Sequence, residues 1–151
     1  MLRHDIETGQ ETVLFHTPAA VYPPSPRVSP DGQWFVYRGP DPADTSRVAL
    51  IVRPMNGSST RPVFSADGLT LFMWTPDGRY ILFNKGWRSA TSNLWRVSVE
   101  TGEARKLGLQ RDNLWHLRIH PDGKQVVFRI EENKAEIWVM EDFLPEDGGT
   151  K

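Results

Sequence analysis

Three segments of the chain carry the same hydrophobic signature. Trp34-Phe35-Val36-Tyr37, Ile81-Leu82-Phe83 and Val126-Val127-Phe128 are apolar at adjacent positions rather than at alternate ones. Strict alternation gives a strand with one solvated face, whereas adjacent apolar residues give a strand buried on both. Each segment leaves a Pro-Asp-Gly turn that another extended stretch enters. Proline presets φ near about −65°, aspartate tolerates the bridge conformation, and glycine supplies the positive φ that closes a hairpin through a bulge. The turn prolines are Pro30, Pro76 and Pro121, spaced 46 and then 45 residues apart. A strand-rich repeat of about 45 residues is the mark of propeller blades and not of helical repeats. A helical reading fails, because a Pro-Gly turn interrupts every candidate window within about a dozen residues.

The pattern divides the chain into the back half of a blade (1–15), blades at 26–66 and 69–109, a blade at 113–145 lacking its fourth strand, and a disordered tail at 146–151. Expected strands are 27–29, 33–38, 47–54 and 60–64 in the first full unit, and 71–75, 79–84, 93–99 and 103–107 in the second. The third has 114–120, 124–130 and 136–142. Thr8-Gly9, Asn56-Gly57 and Thr101-Gly102 supply the tight turns before the last strand of a unit. Leu50, Trp95 and Trp138 fall in equivalent register on the third strands. The fold class is therefore all-β: propeller blades of four antiparallel strands, about three and a half of them. That makes either a partial propeller or a ring completed by oligomerisation. Strand 136–142, with Ile137, Trp138, Val139 and Met140, is an open blade edge that another copy can pair.

Composition narrows the function classes. At 151 residues, 38% of them hydrophobic, the chain can bury a real core. Twelve glycines, twelve prolines and six tryptophans suit many short strands and tight turns. The formal net charge is −1 with both signs interleaved, which argues against nucleic acid and anionic membrane as partners. The absence of cysteine excludes disulfides and thiolate metal sites. The longest aliphatic run, 48–52, is far short of a membrane span, and the first residues lack the apolar core of a signal peptide. The compartment stays open.

Catalytic motifs are not found: no G-x-S-x-G, G-x-G-x-x-G, P-loop, H-E-x-x-H or EF-hand loop occurs. No catalytic residue, metal or cofactor is expected. His116 and His120 lie on a strand that ends at Pro121, about 13 Å apart at 3.3 Å per residue, too far to share one zinc ion. Asp31, Asp77 and Asp122 read as turn formers that bond the local backbone. Asn56-Gly57-Ser58 matches a glycosylation sequon but is explained by its turn, and Glu131, Glu132 and Lys134 read as a solvated loop.

Loop lengths are more informative. In a meander, the first-to-second and third-to-fourth turns share one face, and here they are short and uniform. The opposite face carries variable connections at 39–46, 85–92 and 130–135, with a link at 16–25. Binding residues concentrate on variable loops held by a rigid scaffold. Trp87 and Arg88, types enriched at interface hot spots, are the partner-binding candidates on this loop face. The alternative for Trp87 is to fold back over its own blade.

The hairpin x-Pro-Asp-Gly-(Lys/Arg/Gln) with its apolar exit, followed by Leu94-Trp95 or Ile137-Trp138 and a Thr-Gly or Asn-Gly turn, resembles the TolB-like propeller repeat. This WD-repeat-like family includes bacterial TolB proteins and the propeller domains of prolyl-oligopeptidase-type and tricorn-type peptidases, and the likeness covers residues 1–145. The stretch 137–145 also looks like the end of propellers fused to bacterial kinases or winged-helix regulators. The resemblance implies that first strands line a central channel, which makes His116 and Arg118 channel-lining candidates. It implies a non-catalytic module for protein or peptide binding, the C-terminal part of a larger propeller protein. Such a protein would be periplasmic or extracytoplasmic. The alternative it implies is a substrate-gating propeller for a peptidase whose catalytic domain is absent here.

Overall fold

The structure is a computed structural model that describes residues 1–16, 25–57, 59–86 and 91–130. These residues form twelve strands and no helix. Strands β1 (Leu2–His4) and β2 (Glu11–Val13) make an antiparallel pair, and β3 (Arg27–Val28), β4 (Trp34–Pro40), β5 (Val48–Pro54) and β6 (Arg61–Ser65) make a four-stranded meander in that order. A second meander consists of β7 (Leu69–Trp74), β8 (Tyr80–Lys85), β9 (Ser92–Ser98) and β10 (Ala104–Arg111), and β11 (Leu114–Ile119) pairs with β12 (Val126–Ile130). All pairings are antiparallel. The protein is thus all-β, built of four-stranded antiparallel propeller blades. The expected strand 136–142, its Trp138 and the tail 146–151 lie outside the described residues.

Three hairpin turns share one hydrogen-bond pattern. The N–H groups of Gly32, Gly78 and Gly123 donate to the carbonyls of Ser29, Thr75 and His120, each at 2.9 Å. All three glycines have φ between 67° and 72°, in the left-handed region that a side chain would strain. The N–H groups of Gln33, Arg79 and Lys124 donate to Oδ1 of Asp31, Asp77 and Asp122 at 3.0, 3.1 and 2.8 Å. The three aspartates are turn formers, as their sequence position implied. His120 stands in the place of Ser29 and Thr75, with Nδ1 3.0 Å from Asp122 Oδ1.

These bonds hold the carboxyls below the ordinary aspartate value of 3.8. The main cause is the Ser29 hydroxyl for Asp31, the Thr75 hydroxyl for Asp77 and the Lys124 N–H for Asp122. A carboxyl depressed in the folded state contributes stability above its unfolded value and loses it as pH falls through the folded one. The melting temperature is therefore expected to hold from neutral pH to about 4 and to drop below it. The triple variant Asp31→Asn, Asp77→Asn, Asp122→Asn keeps the acceptors without the titration, so its acid limb should be shallower in a pH series of thermal melts. An unchanged acid limb would show that other groups govern it.

Two strand ends have local causes. β1 stops at His4 because Asp5 Oδ1 accepts the N–H groups of Glu7 (3.1 Å) and Thr8 (2.7 Å) and begins a turn. β10 runs on to Arg111, because Gly108 (φ 77°) sits in a register shift between Lys106 and Gln110 that lets pairing resume.

On β4 and β8 the core confirms the two-faced burial read from adjacent apolar positions, whereas on β12 Val127 is 68% exposed. On β4, Val36 enters one cluster with Leu50, Val52, Phe72, Ile81 and Phe83, while Phe35 and Tyr37 enter a second with Ala49 and Ile51. On β8, Ile81 and Phe83 face the first cluster, and Leu82 faces a third with Leu94, Leu114 and Leu117. Each of the two four-stranded sheets is a layer between hydrophobic seams, and the blades stack through them.

Candidate functional site at the inner edge of the loop face

Stacking sets the first strands side by side: β7 packs between β3 and β11. In an antiparallel meander, the start of the first strand lies at the same end as the second-to-third connection. The beginnings of β3, β7 and β11 therefore meet at the loop face, on the inner edge of the blades. A cavity of about 210 Å³ opens there. Its walls are Ser25 just before β3, Arg27 from β3, Arg38 from β4, Thr70, Leu71 and Phe72 from β7, and Trp115 from β11.

The backbone bends at one repeated position. Ser25, Leu71 and His116 each stand five residues before the turn proline. Ser25 has φ 36° and His116 φ 52°, both left-handed, and Leu71 lies in the register shift between Leu69 and Phe72. A matching shift separates Trp115 from Arg118. Bulges of this kind re-aim side chains, and strained backbone concentrates at functional sites.

Two arginines frame the cavity. Arg38 Nη1 donates to the Leu69 carbonyl of the next blade at 2.9 Å, and its Cζ lies 6.0 Å from the Phe72 ring centroid. Arg27 Cζ lies 6.0 Å from the same centroid, and Arg27 Nη1 donates to the Pro26 carbonyl at 3.1 Å. Both are in cation–π range of one buried ring. The Trp74 indole Nε1 donates to the Arg27 carbonyl at 2.8 Å, tying β3 to β7.

Of the sequence candidates, the described pair His116 and Arg118 falls beside this cavity rather than in it. His116 and Arg118 are exposed on β11, on either side of the fully buried Leu117, and neither lines the cavity, although their neighbour Trp115 does. Arg118 Nη1 donates to the Leu117 carbonyl at 2.8 Å. Trp87 and Arg88 lie outside the described residues. Sequence reasoning missed Arg27, Arg38 and Trp115. The repeat register holds the signal for Arg27, which stands three residues before its turn proline, as Arg118 does before Pro121. Among the described residues, no three His, Asp or Glu side chains converge on a place for a metal ion.

A second groove of about 300 Å³ lies on the opposite, turn face, lined by Trp34, Arg79, Tyr80 and Glu100 among others. Its described lining carries both charge signs.

No protein-family model and no curated protein matches the chain. Solved structures do. TolB from Acinetobacter baumannii aligns with 20% identity and a TM-score of 0.63, over 84% of this chain and 31% of that one. The β-propeller domain of the Trilobed protease from Pyrococcus furiosus aligns with 15% identity and a TM-score of 0.59, over 92% and 42%. An oligogalacturonate lyase in complex with manganese aligns with 22% identity and a TM-score of 0.60, over 87% and 35%. The chain spans between about a third and two-fifths of these structures. Low identity over so much of this chain speaks to architecture, and the neighbours differ in activity as their names state. With its repeated Pro-Asp-Gly hairpins and stacked four-stranded blades, the chain has the fold of a TolB-like β-propeller.

Proposed function

We propose that the chain is a non-catalytic binding module that takes a protein or peptide segment at the loop face, around the inner-edge cavity, as part of a larger propeller ring. The observation that carries this reading is the cavity itself. Three consecutive repeats each contribute to it, on strands fixed by buried seams, so its shape is pre-organised and little ordering cost falls on binding. The other blades of the ring come from further repeats or from a second copy paired at an open blade edge.

The test is selection of phage-displayed peptides on the protein, followed by affinity measurement on Trp115→Ala. Trp115 is partly exposed, so its removal should leave the fold intact while weakening the selected peptides about thirtyfold or more. Selected peptides that bind parent and variant equally would overturn the site. A second reading, a gating propeller for a peptidase, draws on the likeness to the Trilobed protease domain. A gate passes peptides instead of holding them, so the absence of any enriched peptide would favour that reading over ours.

A further inference from the structure

We propose that the cavity between Arg27, Phe72, Arg38 and Trp115 is a carboxylate subsite, which takes an acidic group carried next to an apolar or aromatic one. The inference rests on the binding-module reading and names the chemistry the module recognises.

Charge is the first argument. Two guanidiniums are held about one ring, and no Asp or Glu is among the described residues that line the cavity. Arg27 is exposed and Arg38 half-buried, so Arg27 is the guanidinium open to an anion. The guanidinium fork matches a carboxylate in shape and can donate to it twice. The hydrogen bonds of Arg27 go through Nη1 to the Ser25 and Pro26 carbonyls, which leaves Nη2 without a hydrogen bond among the described residues. Arg38 is positioned by its bond to Leu69 on the neighbouring blade.

The apolar wall is the second argument. Leu71, Phe72 and Trp115 line the rest of the cavity. At about 210 Å³ it is smaller than the roughly 300–1,000 Å³ of sites that enclose a drug-sized molecule. It suits one side chain with its acidic group, which is what an acidic-apolar peptide segment or an apolar C-terminal residue presents.

The probe pair is 3-phenylpropionate and its uncharged isostere 3-phenylpropanamide. Each is titrated into the ¹⁵N-labelled protein, reading the Trp115 indole N–H signal, assigned with Trp115→Phe. The acid should shift that signal saturably and bind about tenfold more tightly than the amide. Arg27→Gln, at an exposed position, should bring the acid down to the level of the amide and leave the amide unchanged. Equal affinity for acid and amide would overturn the carboxylate subsite and leave the binding module standing. So would an Arg27→Gln variant that keeps the preference for the acid. If neither probe moves the Trp115 signal, the subsite is overturned, and the peptide selection decides independently whether the module reading survives.

Discussion

Replacing Phe83 with alanine is expected to destabilise the fold by about 3–5 kcal/mol, the range for truncating a fully buried aromatic side chain. Phe83 is 0% exposed. Its ring lies 4.9 Å from Phe64 of the preceding blade and 6.4 Å from Trp95 of its own, centroid to centroid. The side chain thus fills the seam where two blades meet. The hole that alanine leaves cannot be closed by one sheet without shifting the other. Against a total stability of about 5–15 kcal/mol this is a large fraction. Denaturant titration of Phe83→Ala beside Ile6→Ala measures it, since Ile6 is 93% exposed and its truncation should stay within about 0.5 kcal/mol. A loss below about 1 kcal/mol at Phe83 would mean that the blades do not stack on this seam in solution.

The seam was legible in the sequence because its determinants are local. Phe35, Val36 and Tyr37 are apolar in succession, and a strand can bury three successive side chains only by sitting between two layers. The Pro-Asp-Gly turns were equally legible, because one turn specifies its own hydrogen bonds within six residues, from Ser29 N–H to the Trp34 carbonyl. The cavity was not. Its members run from Ser25 to Trp115, and the bonds that position them span 31 residues from Arg38 to Leu69 and 47 from Trp74 to Arg27. No window of the sequence contains such a pair. Loop length marked the end of the blades where this cavity opens, but the walls come from strand starts, which carry no loop signature. The strain at His116 was hidden for a similar reason. Nothing in Leu114-Trp115-His116-Leu117 announces a left-handed residue, and only pairing with β12 across a shifted register imposes one.

The Trp74 series separates packing from positioning. Trp74→Ala is expected to cost about 3–5 kcal/mol, because the side chain is 7% exposed within the cluster that joins the first and second full blades. Trp74→Phe retains most of that burial and removes one hydrogen bond, from indole Nε1 to the Arg27 carbonyl, so it should cost only about 1 kcal/mol. The smaller change has the more local consequence. β3 is two residues long, pairs with β4 only through Arg27 and Val28, and has valine where β7 has Trp74, so it makes no equivalent bond in return. The indole is a direct tie that fixes Arg27 relative to Phe72, the pair on which the cavity depends. In Trp74→Phe, amide hydrogen exchange over residues 25–30 should accelerate while exchange over 81–83, in the middle of β8, stays close to the parent. Acceleration spread equally over both segments would mean that the variant loosens the whole seam. Unchanged exchange over 25–30 would mean that pairing with β4 alone holds the strand, and that Arg27 is positioned without the tryptophan.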